Sequence, residues 1–428
     1  EWQNEMDWLA LNGVNAILDI TGQEEVWRRF MSNLGYSIDE IKDWLVGPGY
    51  YGWQYMANME NVNGPIPDNW FEQRTELARM NQRKMRALGM TPILQGYSGM
   101  VPNSITEKDA SVEIIAQGLW NGMQRPAMLK TNTETYQEYA KMFYQAQEEV
   151  YGKVSNYYAT DPFHEGGIRP SDMSESEISE TVLGKMMEAD ENAVWVIQSW
   201  EGNPTKELLN GLGENREEHA LILDLTSTSQ PHYNNSRWGD EFYNTPWVYC
   251  MLDNFGDRAG VHGDLQEIAS GISEAYHSSS KMKGIGITPE GTKLNPINYE
   301  LFFDTVWQDD QEPIELNTWL KDYLTQRYGN YSESAYQGWL LLLETAYSGS
   351  GDHWGGPNSV SNYRPGRNPI LGSFSIPYDV KTFEKAVELI IEDYDLLSDQ
   401  ESYLYDVAAL LKQVLQNSQY TYYRNFEK

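Results

Sequence analysis

The amino-acid sequence predicts an α/β protein, a (β/α)8 TIM-type barrel followed by an all-α C-terminal region. Over roughly the first 310 residues, short apolar runs alternate with longer amphipathic stretches, the βα rhythm of a parallel sheet covered by helices. The apolar runs end in polar or aromatic residues, as strands do where a barrel builds its active face. Beyond about Trp307 the runs stop and only helical periodicity remains.

The elements follow in order. An amphipathic helix opens the chain at residues 1–8. Strands are expected at 15–20, 91–98, 156–163, 193–200, 220–225, 247–252 and 284–288, where short apolar runs sit between turn residues. An eighth, which closes the barrel, is placed near 49–53, inside the glycine-rich Gly47-Pro-Gly-Tyr-Tyr-Gly-Trp53. Between strands, residues 69–88 and 133–151 carry apolar positions at helical spacing, and 174–188 begins with an acidic first turn. The C-terminal helices are expected at 316–328, 334–347, 380–397 and 401–416. Among them runs a loop from Ser348 to Pro369, rich in Gly, Pro and Asn and bearing Arg364 and Arg367; loops of that length are commonly functional or disordered. A chain of 428 residues is long for one core, so two domains are expected, a barrel over 1–310 and an incomplete helical domain over 311–428.

Charge and composition narrow the partners. With 31 Lys and Arg against 63 Asp and Glu, the net charge of −32 repels phosphate backbones and anionic headgroups, which argues against nucleic acid and membranes as partners. There is no apolar stretch of about 18 residues to cross a bilayer. No signal peptide is visible either, and the chain lacks a start methionine, so it reads as a partial or processed chain whose targeting segment is gone. The 15 Trp and 29 Tyr exceed ordinary core needs and suit sugar binding, because a pyranose stacks its apolar face on a flat ring. Cys250, the one cysteine, lies in an apolar run and reads as a small buried hydrophobe. With six scattered His and no Cys cluster, a metal site has no support in the sequence.

Two glutamates follow strand candidates in unusual contexts. The run ending Asp161-Pro162-Phe163-His164-Glu165 is followed by Gly166 and Gly167, which permit a tight turn and leave room for a ligand. The run Gly284-Ile285-Gly286-Ile287 leads through Thr288 and Pro289 to Glu290, where a barrel strand delivers a side chain to the open face. Paired strand-end carboxylates are what glycoside hydrolysis requires, one to protonate the leaving oxygen and one to act at the anomeric carbon or on a water. Spacing alone does not single these two out from 63 acidic residues.

A resemblance does. The blocks Trp8-Leu-Ala-Leu-Asn-Gly-Val-Asn15, Thr21-Gly-Gln-Glu-Glu-Val-Trp27, Gly47-Pro-Gly-Tyr-Tyr-Gly-Trp53, Gly64-Pro-Ile-Pro67 and Gly89-Met-Thr-Pro-Ile-Leu94 come first. Asp161-Pro-Phe-His-Glu-Gly166, Leu223-Asp-Leu225, Cys250-Met-Leu-Asp-Asn-Phe-Gly256 and Pro289-Glu-Gly291 follow in the same order. The set resembles the α-N-acetylglucosaminidases of glycoside hydrolase family 89.

The resemblance implies a retaining exo-hydrolase that releases terminal, non-reducing α-linked N-acetylglucosamine, with Glu165 as acid/base and Glu290 as nucleophile. It implies a blind pocket walled by Trp53, Met56, Trp120, Trp200 and Leu252, with His164, which is Asn in some members, beside the acid/base. It calls for no metal and no organic cofactor. Family members also carry a segment before this chain's first residue and a longer all-α domain, so the pocket is expected to be incomplete. The expected partner is a glycan of mucin or heparan type. The large negative charge favours neutral glycans unless local basic residues such as Arg125 or Arg169 offset it. The expected location is extracytoplasmic: exported if bacterial, which the scarcity of cysteine and the His-Glu-Gly form favour, or lysosomal if animal. Two other readings stay open, a carbohydrate-binding or inactive barrel, and a glycosidase of different specificity such as an N-acetylgalactosaminidase.

Overall fold

The computed structural model describes residues 2–258, 260–291, 295–349 and 376–427; Arg364 and Arg367 and most of their loop lie outside the described residues. All seven apolar runs are strands; the first six are shorter than expected by up to five residues, and the seventh starts two residues early and ends one residue early. They are β1 (Ala16–Leu18), β2 (Thr91–Gln95), β3 (Tyr157–Ala159), β4 (Val194–Ser199), β5 (Ala220–Asp224), β6 (Trp247–Met251) and β7 (Met282–Ile287). They form one sheet in chain order. The pairing is parallel where the register is resolved, with Ala16 opposite Thr91, Leu94 opposite Tyr158 and Tyr157 opposite Val194. Parallel neighbours in chain order require a crossover each, and the repeated right-handed βα unit curls the sheet toward a barrel.

One expectation is corrected. The segment taken as an eighth strand is a 3-10 turn, Pro48–Tyr50, followed by a short helix, Tyr51–Tyr55. Pro48, lacking an N–H and with φ already near helical, suits the first position of such a turn. An unexpected insertion follows β2. It contains Met100–Val101, Ile114–Ile115 and Ala127–Leu129 in one small antiparallel sheet, and Leu119–Trp120 with Met123–Gln124 as a hairpin.

The helices begin where side chains cap them. Ser174 accepts the Glu177 backbone N–H while Glu177 reaches back to the Ser174 N–H, a reciprocal arrangement repeated at Ser37 and Glu40. Thr133 caps Glu134–Tyr151. Each such cap contributes about 1 kcal/mol.

The chain divides into two compact units, residues 1–223 with 233–247, and residues 224–232 with 248–428. The first is organised around aromatic rings packed edge-on and stacked. Trp27 meets Phe143 at 5.3 Å between ring centres, and Tyr97 meets Phe143 at 4.9 Å, all fully buried. The Trp27 indole donates to Gln95 Oε1 at 3.0 Å, and Gln95 Nε2 donates to the Tyr55 carbonyl at 3.1 Å. The open end of β2 is thereby tied to the helix that carries Trp53.

The second unit contains the helical tail: Leu316–Tyr328, Glu333–Leu343, Val380–Glu392, Tyr394–Leu397 and Glu401–Glu427. The last helix runs well beyond the expected residue 416. Arg327 forms a two-pronged ion pair with Asp406 at 2.7 and 2.8 Å, and the Tyr328 hydroxyl donates to the same carboxylate at 2.9 Å. Gly338 lets two of these helices touch, since a Cβ there would stand 2.6 Å from the Ala386 carbonyl oxygen. Cys250 is buried in this unit, as expected of a small apolar filler.

Candidate active site

The first group of candidates is assembled beyond the end of β3. Where the strand stops, side chains continue its pairing: the Trp195 indole donates to the Thr160 carbonyl at 2.7 Å, and Asp161 Oδ1 accepts the Gln198 N–H at 2.8 Å. After Pro162 the backbone enters left-handed conformations at Phe163 (φ 63°), Glu165 (φ 44°) and Gly166 (φ 81°). For the non-glycine residues this costs on the order of 1 kcal/mol each. Gly167 then passes so near the start of the turn that a Cβ would lie 2.5 Å from the Phe163 Cα. The turn is fixed from outside: Gln117 accepts the Ile168 N–H at 2.7 Å and donates to its carbonyl at 2.9 Å.

The turn presents Glu165, half-buried, to two indoles. Trp120 Nε1 donates to Oε2 at 2.6 Å and Trp200 Nε1 donates to Oε1 at 3.1 Å, while Asn58 Nδ2 donates to Oε2 at 3.3 Å. Trp120 comes from the hairpin, Trp200 stands one residue past β4, and Asn58 follows the helix Tyr51–Tyr55. Trp53, 40 % exposed, lies 6.2 Å from Trp120 between ring centres, so an open aromatic face adjoins the carboxyl. Met56 ends the same short helix, partly exposed. His164 is 4 % exposed, and its Nδ1 lies 3.2 Å from Asn58 Nδ2. Burial holds its ring below the usual histidine pKa, the Glu165 charge opposing and the Arg125 charge adding to the effect.

The second group lies beyond β6 and β7. The Thr288 N–H and hydroxyl both donate to the Met251 carbonyl, at 3.0 and 3.1 Å, which keeps the two strand ends in register. Asn254, buried and left-handed (φ 46°), accepts the Glu290 N–H at 3.3 Å. Gly256 N–H donates to Glu290 Oε2 at 2.8 Å, and the glutamate is exposed. Leu252 is partly exposed at the end of β6. Asp253 beside it is buried, and that burial raises its pKa to about 6, opposed by the backbone N–H groups of Asn254 and Asn295.

Of the expected residues, Glu165, Trp120, Trp200, Trp53 and His164 are thus brought together, with Met56 on the helix that supplies Trp53. Glu290 and Leu252 belong to the second unit. Asn58 was not foreseen: nothing in Ala57-Asn58-Met59 marks it, since its importance comes from the fold beside it. Neither basic residue expected to offset charge toward a substrate is free to do so. Arg125 is 3 % exposed and bonded to Asn58, His164 and Glu165, and Arg169 pairs with Glu175. Among the described residues no group of three or more His, Cys, Asp or Glu is placed to hold a metal ion, and no helix is long and apolar enough to cross a membrane.

Asp161 carries a pH signature. Its burial raises the pKa from 3.8 to about 7, the Gln198 N–H only partly opposing this. The fold therefore favours the protonated acid; this stability is complete below the unfolded pKa and is lost as pH rises toward 7. Asp161→Asn, which keeps an acceptor for Gln198, is expected to match the parent's stability near pH 4 and to exceed it by about 4 kcal/mol at pH 8 in denaturant titrations.

The chain matches the family model described as the α-N-acetylglucosaminidase TIM-barrel domain over residues 1–309, and that of the corresponding C-terminal domain over residues 319–428. It is 30% identical to human α-N-acetylglucosaminidase over 434 residues, covering 99% of this chain and 58% of the human protein. A family 89 glycoside hydrolase from Clostridium perfringens, solved with PUGNAc, superposes with a TM-score of 0.93 at 42% identity, covering 99% of this chain and 48% of that one. The same scores hold for a two-site Glu-to-Gln variant from that bacterium in complex with its substrate, GlcNAc-α-1,4-galactose. The chain therefore spans about half the length of these relatives.

Proposed function

The chain belongs to the α-N-acetylglucosaminidase family, glycoside hydrolase family 89, and from that premise we propose that it is an exo-acting retaining hydrolase of terminal α-linked N-acetylglucosamine. The observation that carries this reading is the 42% identity, over nearly the whole chain, to an enzyme captured with GlcNAc-α-1,4-galactose. We assign the barrel domain to residues 1–310 and the helical domain to 311–428. The change of family model between residues 309 and 319 supports that boundary.

Glu290 attacks the anomeric carbon from the face opposite the leaving oxygen while Glu165, protonated, gives its proton to that oxygen. A β-linked glycosyl-enzyme results. Glu165, now ionised, takes a proton from water as it attacks the same carbon, and the sugar leaves as the α anomer. Two inversions need the carboxyls roughly 5 Å apart, with no room for a water between them. The indole N–H bonds from Trp120 and Trp200 support the role of Glu165, because they hold its carboxyl in one orientation without adding a formal charge. Trp53, Met56, Trp120, His164, Trp200 and Leu252 supply the walls around one sugar, the exposed face of Trp53 being suited to stacking on a pyranose.

The aglycone we favour is a neutral, mucin-type galactose rather than a sulfated heparan fragment. The net charge of −32 and the engagement of Arg125 and Arg169 within the protein both disfavour a polyanion. Glycans of either kind lie outside the cytoplasm or in lysosomes. The higher identity to the bacterial than to the human relative supports an exported bacterial enzyme.

Hydrolysis of 4-nitrophenyl α-N-acetylglucosaminide, with the α-N-acetylgalactosaminide alongside, tests the reading. The gluco substrate is expected to be preferred by on the order of 10²-fold or more, because buried polar groups set for one hydroxyl are left unpaired by its epimer. Preference for the galacto sugar would move the chain to another specificity. Binding of free N-acetylglucosamine without hydrolysis of either substrate would make it a binding protein.

A further inference from the structure

We infer that Arg125 and Asn58 form a polarised hydrogen-bond chain that positions the Glu165 carboxyl for proton transfer. The inference rests on the reading of Glu165 as acid/base.

A guanidinium donates hydrogen bonds and accepts none. Arg125, almost wholly buried, uses Nη1 on Asn58 Oδ1 at 3.1 Å and on the His164 carbonyl at 2.9 Å, and Nη2 on the Glu165 carbonyl at 2.5 Å. None of these acceptors is a carboxylate, so the charge is oriented by neutral groups and by the chain turn itself. Because Arg125 cannot accept, the Asn58 oxygen must face it and the Asn58 amide nitrogen must face the other way. That nitrogen stands 3.2 Å from His164 Nδ1 and 3.3 Å from Glu165 Oε2. Donors therefore point in one direction from Arg125 to the Glu165 carboxyl. The same polarity makes His164 Nδ1 an acceptor and leaves the ring proton on Nε2.

The second observation is the backbone. The two carbonyls that Arg125 holds belong to a turn with left-handed residues at Phe163 and Glu165, which L side chains resist. One cation thus fixes both ends of the same lever: the strained backbone that carries Glu165 and, through Asn58, the carboxyl oxygen at its tip. The fork can do this because its donors diverge in a plane. A lysine ammonium, a compact point charge on a flexible stem, does not reproduce that spread. Arg125 and Asn58 are positioning residues, acting on the reaction through Glu165.

The test compares Arg125→Met, Arg125→Lys and Asn58→Leu with Glu165→Ala on two substrates, a 2,4-dinitrophenyl α-N-acetylglucosaminide and GlcNAc-α-1,4-galactose. The acidic phenol leaves without a proton, whereas the sugar alcohol needs one. For Arg125→Met, kcat/KM is expected to fall on the order of 10²-fold for the disaccharide and only a few-fold for the phenyl glycoside. Arg125→Lys and Asn58→Leu should fall in the same sense by smaller factors, and they carry the test if the methionine variant does not fold. Equal losses on both substrates, or no loss, in folded variants would overturn the positioning role while the Glu165 reading stands, provided Glu165→Ala shows the split. If Glu165→Ala itself shows no split, the acid/base reading falls and this inference falls with it.

Discussion

Glu290→Ala is expected to lower kcat/KM on an aryl α-N-acetylglucosaminide by on the order of 10⁴-fold or more, with little change in stability. The size follows from what is removed. Without the nucleophile no glycosyl-enzyme forms, and the remaining groups can only assist direct attack by water. Stability changes little because Glu290 is exposed: the Gly256 N–H that its carboxyl holds is itself exposed and turns to water, and the Asn254 bond to the Glu290 backbone N–H and the Thr288 clasp on Met251 use no atom that the substitution removes. Added azide fits the vacated space and attacks from the same face, so it restores turnover and yields the β-glycosyl azide. Retained activity without azide, or an α-linked azide product, would assign the nucleophile elsewhere.

The companion variant behaves differently. Glu165→Ala is expected to lose about 10²- to 10⁴-fold in kcat/KM on GlcNAc-α-1,4-galactose, the range a positioned general acid supplies. On a dinitrophenyl glycoside the first step needs little protonation, so kcat/KM falls much less. The second step then lacks its base, the glycosyl-enzyme accumulates, and kcat and KM drop together. Azide needs no deprotonation and intercepts that intermediate after one inversion has already occurred, giving the α-glycosyl azide. The two glutamates are therefore told apart by the anomer of the azide each variant produces. The same anomer from both would remove the assignment of separate roles.

The barrel was legible because each strand is a short apolar run followed by a polar end, and Asp161 to Gly166 and Pro289 to Gly291 sit at two of those ends. What escaped the sequence is what lacks periodicity. The hairpin that brings Trp120 to Glu165 is built from two-residue strands, Leu119–Trp120 and Met123–Gln124, too short to leave an alternating pattern. An eighth strand is expected at residues 49–53 because a barrel needs eight, yet Pro48 and the neighbouring glycines wind the segment into a turn and helix. Asn58 and Arg125 are distant in sequence and acquire their connection only when the fold brings both to the turn after β3. Arg125, named from the sequence only as a local basic residue to offset charge toward a substrate, is buried because the His164 and Glu165 carbonyls need a donor there.

The central claim, retention by a Glu165 and Glu290 pair, is tested most directly by following hydrolysis of 4-nitrophenyl α-N-acetylglucosaminide by proton NMR and recording the sugar anomer before mutarotation. Two displacements predict that the α anomer of N-acetylglucosamine appears first and the β anomer grows in only as the free sugar equilibrates. Appearance of the β anomer first would mean a single inverting displacement, with a water between more widely spaced carboxyls, and would contradict the roles given to both glutamates.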